Sequence, residues 1–444
     1  MGEDSTVALA GARWWVGPEM DAARLRTLVE AASAALAAGA LDQKASRRKQ
    51  SFLLALEGPT PDYLLKVNHY RSLAPWRRLR RSKAREELAR ASELAVRGIS
   101  TSIPVAAGEL RRRGLLDRCF GLVRWLPDAT DLLRVWTEAR DDAASRRAWT
   151  HELGTLVRRM HESGVHQEDL APNNFLWRAS RAPHLLAIDF ERTRVGRRVS
   201  ERERVFALAK LERHFAGSPA SGRMRFLLAY ANGDRGEARR WWREIASFAP
   251  RLMRRDVAHW QRTATRSGRR FEEIEFESAG VLWRGFSRRG APIDALRAQL
   301  AVGHSGGPAR VGATAVLCPI GASTDRDAAR AWGLAQSFYQ RRLMTEPLAL
   351  LRSSGATVLA LADPDDLVML SDVSAGDLFA ALVVTIDRLL GVGVDVGRLR
   401  RSALAFSRRH RRVLLLDPTL CVPERSAAES GRSAARAWAA RLLA

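Results

Sequence analysis

The sequence predicts an α+β fold of two lobes, a small β-rich lobe leading into a larger helical one, followed by a second region of the same outline. Three observations predict it. A strand–turn–strand–helix unit occupies residues 51–96, helical periodicity dominates from residue 131, and the order of apolar segments between 63 and 190 recurs between 315 and 418. A chain of 444 residues is longer than one ordinary core supports. The expected divisions are an N-terminal helical extension over 1–39, a first domain over 40–264 and a second over 265–444.

The elements follow in order. Residues 20–39 are Ala-rich and helical in pattern. The runs 51–56 (SFLLAL) and 63–67 (YLLKV) have strand length and are separated by Gly58, Pro59, Thr60, Pro61 and Asp62, which predicts a hairpin. From Ser82 to Val96 the apolar residues Ala84, Leu88, Ala91 and Ala95 return at spacings of four and three, and Gly98 stops the helix. Pro104 opens another extended region, and 119–126 (CFGLVRWL) reads as a strand ended by Pro127 and Asp128. Helical patterns then run over 131–163, 201–215, 222–231 and 236–262, interrupted by a polar loop and a short strand at 184–190.

Composition excludes several classes. Hydrophobic residues at 46% and charged residues at 27% fit a soluble globular protein and not a disordered or fibrous one. Asp4, Glu19 and Asp21 interrupt any export signal, and no apolar run approaches the roughly 18 residues of a membrane span. Cys119, Cys318 and Cys421 are too scattered for a zinc site or a disulfide framework, which fits a reducing cytoplasm. A formal charge of +24 attracts polyanions: phosphorylated head groups, an anionic membrane surface or nucleic acid. An Arg-rich composition with solvated charged faces accounts for the same number equally well.

The chemistry lies between 164 and 191. Gly164, Val165, His166, Gln167, Glu168, Asp169, Leu170, Ala171, Pro172, Asn173, Asn174, Phe175 and Leu176 place an Asp and an Asn five residues apart in a loop, and Ile188, Asp189, Phe190 and Glu191 follow an apolar strand. Phosphoryl transfer needs a carboxylate to orient the acceptor hydroxyl and oxygen ligands that hold Mg2+ against the phosphates. Asp169 suits the first role, Asn174 and Asp189 the second, and Lys66 on its strand would pair with the nucleotide's phosphates. Two acids compete for Lys66. With Ala84 taken as zero on a helical wheel, Glu87 lies about 60° from the apolar stripe and Glu86 about 160°, so Glu87 is the expected partner. His166 reads as a loop-packing residue.

These residues, in this order, resemble the catalytic loop, metal-binding Asp, strand Lys and helix Glu of the protein-kinase-like superfamily. Within it, the stretch from Lys66 through SKAREELARASELAVRGIST, GVHQEDLAPNNFL and LLAIDFERTR to RMRFLLAY is similar to the lipopolysaccharide kinase (Kdo/WaaP) family over about half of the chain. That resemblance implies an ATP- and Mg2+-dependent kinase acting on core sugars, Kdo or heptose, at the inner face of the cytoplasmic membrane. ATP and a sugar or phosphorylated glycolipid acceptor are then the expected partners, with peripheral contact to an anionic membrane and without nucleic acid. Two departures stand out: Gln167 occupies the place where the family usually has His, which bears on loop support, and Asp189, Phe190 and Glu191 lack the glycine of protein kinases. A small-molecule kinase of the aminoglycoside or choline type, or a non-catalytic basic scaffold on membrane or nucleic acid, fits part of the same pattern.

Two basic stretches frame the first lobe. Lys44 to Gln50 offers cations where a phosphate-covering loop is expected, and Arg77, Arg78, Arg80, Arg81, Lys83 and Arg85 precede the Glu87 helix. The first reads equally as a solvated basic loop, and the second as a face for acidic lipid-linked sugar or its membrane or as a solvated helix start.

The second region keeps the apolar outline and loses the chemistry. Residues 393–406 follow 164–177, 413–418 follow 185–190, 331–350 follow 87–106 and 315–319 follow 63–67. Lys66 then aligns with Cys318, Glu87 with Ala331, Asp169 with Arg398 and Asn174 with Ala403, and Asp189 alone has a counterpart, Asp417. A degenerate kinase-like (pseudokinase) domain is expected there.

Overall fold

A computed structural model describes residues 5–37, 49–55, 61–70, 73–102, 104–138, 143–190, 192–215, 220–268, 270–302, 308–311, 315–341, 343–362, 367–370, 373, 375–408, 412–423 and 432–443. The chain divides into two compact units, residues 1–207 with 224–238 and residues 208–223 with 239–444.

The first unit opens with strands β1 (Ser5–Leu9) and β2 (Ala12–Val16) and helix α1 (Ala22–Ala37). Strands β3 (Lys49–Leu54) and β4 (Tyr63–His69), helices α2 (Pro75–Leu79) and α3 (Lys83–Val96), and strands β5 (Pro104–Arg112) and β6 (Leu115–Arg124) follow. Together the strands form one antiparallel sheet in the order β1-β2-β5-β6-β4-β3. The N-terminal segment is therefore more than the helical extension expected of residues 1–39. Ala10 and Gly11, both at positive φ, make a two-residue turn that folds β1 onto β2, and β2 pairs with β5 through Arg13 and Glu109.

Each face of this sheet carries a helix, and strand alternation decides which residues meet which. Tyr63, Leu65 and Val67 of β4 pack with Leu25, Leu28 and Val29 of α1, while Ala84 and Leu88 of α3 join Trp15, Ala107 and Cys119. The buried stripe of α3 is Ala84, Leu88, Ala91 and Leu94. Leu94 takes the place expected of Ala95 because a step of three residues keeps the larger side chain on the buried face.

The helical part of the unit contains β7 (Ala129–Asp131), α4 (Leu132–Glu138), α5 (Ala143–Glu162), β8 (Val165–Gln167), β9 (Phe175–Arg178), β10 (Leu185–Ala187) and β11 (Thr193–Val195). Helices α6 (Glu201–His214), α7 (Ala220–Tyr230) and α8 (Arg235–Ala264) follow, of which residues up to 207 and 224–238 belong to the first unit and the rest to the second. Strands β10, β9 and β7 form one small sheet, and β11 pairs with β8.

The second unit contains β12 (Phe271–Ser278), β13 (Val281–Arg288), α9 (Ile293–Ala301), β14 (Ala309–Val311), β15 (Ala315–Pro319), α10 (Asp325–Gln340), β16 (Pro347–Arg352), β17 (Thr357–Ala362) and β18 (Leu367–Met369). Helix α11 (Ala375–Gly391), β19 (Val394–Asp395), β20 (Leu404–Ser407), β21 (Arg412–Leu415), β22 (Val422–Pro423) and α12 (Arg432–Leu443) complete it. Its large sheet runs β12-β13-β16-β17-β15-β14, position for position the order of the first. The unit begins earlier than residue 265, because α8 sends Met253, Val257, Trp260 and Ala264 into the core that holds Trp332 and Phe338. Buried Arg341 pairs with Asp256 at 2.7 Å, and Asp256 also binds Arg213. Among the described residues no helix is long and apolar enough to cross a membrane.

Candidate active site

Lys66 faces α3 because its neighbours Leu65 and Val67 face α1. Its partner in register on β6 is Gly121, and a Cβ added there would lie 3.5 Å from Ala84. The small residue lets the helix approach closely. Glu87, three residues beyond Ala84 and so on the same side of the helix, then meets Lys66 with Nζ donating to Oε1 at 3.3 Å. Glu86 instead lies 3.6 Å from Arg90. With side chains 37% and 19% exposed, the Lys66–Glu87 pair adds little to stability. It fixes the position of the ammonium group.

Asn174 and Asp189 are brought together by the β9–β10 pairing. The short 3-10 turn Pro172–Asn174 leads into β9, and Ile188 and Asp189 leave β10 beside it, so that Ile188 N–H donates to the Asn174 carbonyl at 2.8 Å. Asn174 is buried, and its Nδ2 donates to the main-chain oxygen of Asp169 at 2.7 Å. Asp169 and Asp189 are themselves exposed. Leu170, Ala171 and Pro172 bury the loop beneath Asp169.

Two residues without an assigned site role hold this arrangement. Gln167, almost fully buried, donates through Nε2 to the carbonyls of both Ile188 and Asp189 at 3.2 and 3.0 Å. Asp189 stands at φ +58, the left-handed region that non-glycine residues occupy at a cost of about 1–2 kcal/mol. The amide of Gln167 grips the carbonyls on both sides of that bond. Arg90, three residues past Glu87 on α3, donates to the Phe190 carbonyl at 2.5 Å. One helix face thus holds Lys66 through Glu87 and the chain after Asp189 through Arg90. The spacing of Arg90 from Glu87 was its only signal in the sequence, and Gln167 was visible as a departure bearing on loop support.

His166 is buried, its Nδ1 3.3 Å from Arg194, and burial pushes its imidazole below the ordinary value, with Arg194 adding to the effect. Arg194 and Arg197 both donate to Glu203 at 2.5 and 2.7 Å, closing the β8–β11 pair over the start of α6. The Arg194 hydrogen bond and the Ser200 amide hold the Glu203 carboxyl well below the usual carboxylate range. Lys44 to Arg48 and Glu191 lie outside the described residues.

The donor set fits Mg2+, which keeps several waters and takes one or two protein oxygens together with substrate phosphates. Among the described residues no three of His, Cys, Asp and Glu are gathered as metal ligands. Here the neutral oxygen of Asn174 and the exposed carboxylate of Asp189 would be the protein's share, and bound Mg2+ would neutralise phosphate charge.

A sheet lysine clasped by a helix glutamate, with a loop Asp and Asn and a second Asp nearby in sequence, is the set of groups that phosphoryl transfer calls for. The model of the lipopolysaccharide kinase (Kdo/WaaP) family matches residues 66–230. Its members are kinases that phosphorylate core sugars of lipopolysaccharide. One similar solved structure is titled "WaaP in complex with acyl carrier protein"; it is 22% identical over 46% of this chain and 85% of that chain, with a TM-score of 0.36. No curated protein matches.

Proposed function

We propose that the first unit transfers the γ-phosphoryl group of ATP to a sugar hydroxyl of a lipopolysaccharide core, Kdo or heptose, or of a related glycolipid. The observation that carries this reading is the Lys66–Glu87 pair at 3.3 Å, on a helix whose Arg90 also fastens the chain beside Asp189. Lys66 binds the nucleotide's phosphates, Asn174 and Asp189 would hold Mg2+, and Asp169 accepts a hydrogen bond from the acceptor hydroxyl and orients it. The family match supports the sugar class of acceptor.

In the same reading the second unit is a degenerate kinase-like module. Its sheet order supports this, as do Gly393 at φ 71 beside Gly164 at φ 73 and the turn Arg401–Ala403 beside Pro172–Asn174. The Leu416 amide donates to the Ala403 carbonyl at 2.8 Å, as the Ile188 amide does to that of Asn174. Asp417 differs from Asp189. It has φ −117, and its carboxylate accepts from the Thr419 amide and hydroxyl.

Radiolabelled ATP offered with purified lipopolysaccharide intermediates, beside soluble alcohols, tests the assignment. Label is expected in the lipopolysaccharide intermediates, and Asp169→Ala is expected to lose about 10²–10⁴-fold in rate while keeping its ATP-dependent thermal shift. Labelling of the soluble alcohols alone would favour a small-molecule kinase, and full turnover by Asp169→Ala would remove the role given to that residue.

A further inference from the structure

The basic run before α3 is split by the fold into two populations. Arg78 turns inward and donates through Nε to the Leu116 carbonyl at 2.9 Å, and the Arg85 guanidinium lies over the Trp15 ring at 4.1 Å. Arg80 and Arg81 stay exposed. Between them α2 presents Trp76 and Leu79, each 65% exposed, and a spacing of three places them on one helix face. Scattered single apolar residues on a surface need no explanation, but an adjacent Trp and Leu among arginines do.

This segment is held in place by buried chemistry. Glu109, 4% exposed, accepts from the Ser82 amide at 2.8 Å and pairs with Arg111 at 2.8 Å. Arg111 in turn donates to the main-chain oxygens of Arg78 and Arg80 at 3.3 and 2.9 Å. The grip fastens α2 to the β5–β6 turn, where Arg112 and Arg113 are exposed. The nearby acids are consumed: Asp117 is buried and lies within 4 Å of Arg112 and Arg118, as Glu109 does of Arg111. Residues 70–85 and 110–116 contain no acid.

We infer that Trp76, Leu79, Arg80, Arg81, Arg112 and Arg113 form a docking surface for an anionic lipid bilayer. This combination matches the bilayer interface, where an indole sits at head-group level and guanidinium groups pair with phosphates while their stems stay apolar. The inference rests on the reading that the acceptor is lipid-linked, and it gives that reading a means of reaching a membrane-borne substrate.

The test is sedimentation of the full chain with phosphatidylcholine vesicles that contain or lack about 30% phosphatidylglycerol, over a range of salt. Wild type should bind the anionic vesicles, more weakly as salt rises, and leave the neutral ones. Arg80→Ala/Arg81→Ala should weaken binding about 30-fold, and Trp76→Ala/Leu79→Ala by about 10-fold or more. Both variants should phosphorylate a detergent-dispersed acceptor at the wild-type rate, which also shows that they fold. Binding by both variants equal to wild type, or no vesicle binding by wild type, as expected if the patch serves an acidic protein, overturns the surface. Neither result touches the kinase reading, which the labelled-ATP assay decides separately.

Discussion

Asp189 shows most directly how a single residue is committed to the site. Its left-handed φ of +58 suits glycine better than any other residue, so the carboxylate is present despite the backbone and not because of it. Such strain persists only where surrounding contacts over-determine it, and here the Gln167 amide and the Arg90 guanidinium supply them. Asp189→Gly is therefore expected to keep or exceed wild-type stability, by up to about 1 kcal/mol, while losing phosphorylation. Thermal unfolding beside a labelled-ATP assay reads both halves. A large loss of stability would mean that the carboxylate, and not the backbone, holds the loop.

At the scale of elements, the clasp between α5 and α7 is built from two features. Gly154 leaves no room for a side chain, since a Cβ there would stand 2.5 Å from the Phe226 carbonyl oxygen. About two turns further along α5, buried His161 Nδ1 lies 2.8 Å from the Tyr230 hydroxyl. Burial, with Arg204 adding, pushes His161 from 6.5 down to about 3. The imidazole is thus neutral in the fold, whereas the unfolded chain takes up a proton below pH 6.5. Stability from this group is complete above 6.5 and is lost as the pH falls towards 3, at up to about 1.4 kcal/mol per pH unit. Comparing thermal unfolding of wild type and His161→Phe between pH 7 and pH 3 isolates it: any advantage of wild type should narrow as the pH falls. A constant difference would count against a neutral, buried His161.

Across the whole molecule, two units share a strand order and differ in what their equivalent positions carry. In the proposed alignment of the two units Cys318 and Ala331 take the places of Lys66 and Glu87, and both are buried, while Asp417 spends its carboxylate on Thr419. From the proposed degeneracy, one nucleotide should bind per chain. Titration calorimetry with Mg-ATP is expected to give a single site, weakened by Asp189→Asn and indifferent to Asp417→Asn. Two equivalents, or sensitivity to Asp417, would show the second unit to be competent.

The sequence by itself determined what is local or motif-borne. The β3–β4 hairpin, the α3 helix with its cap at Ser82, and the spacing of Asp169, Asn174 and Asp189 follow from patterns within short windows of the chain. A helical wheel sufficed to prefer Glu87 to Glu86, because a single strand above a single helix leaves few choices. The tertiary structure decided the rest. That β1 and β2 complete a six-stranded sheet, that α8 passes from one unit into the next without a break in composition, and that Gln167 and Arg90 brace Asp189 all depend on partners 20 to 100 residues away. Such contacts leave no periodicity to read, since they form only once separately encoded elements have packed.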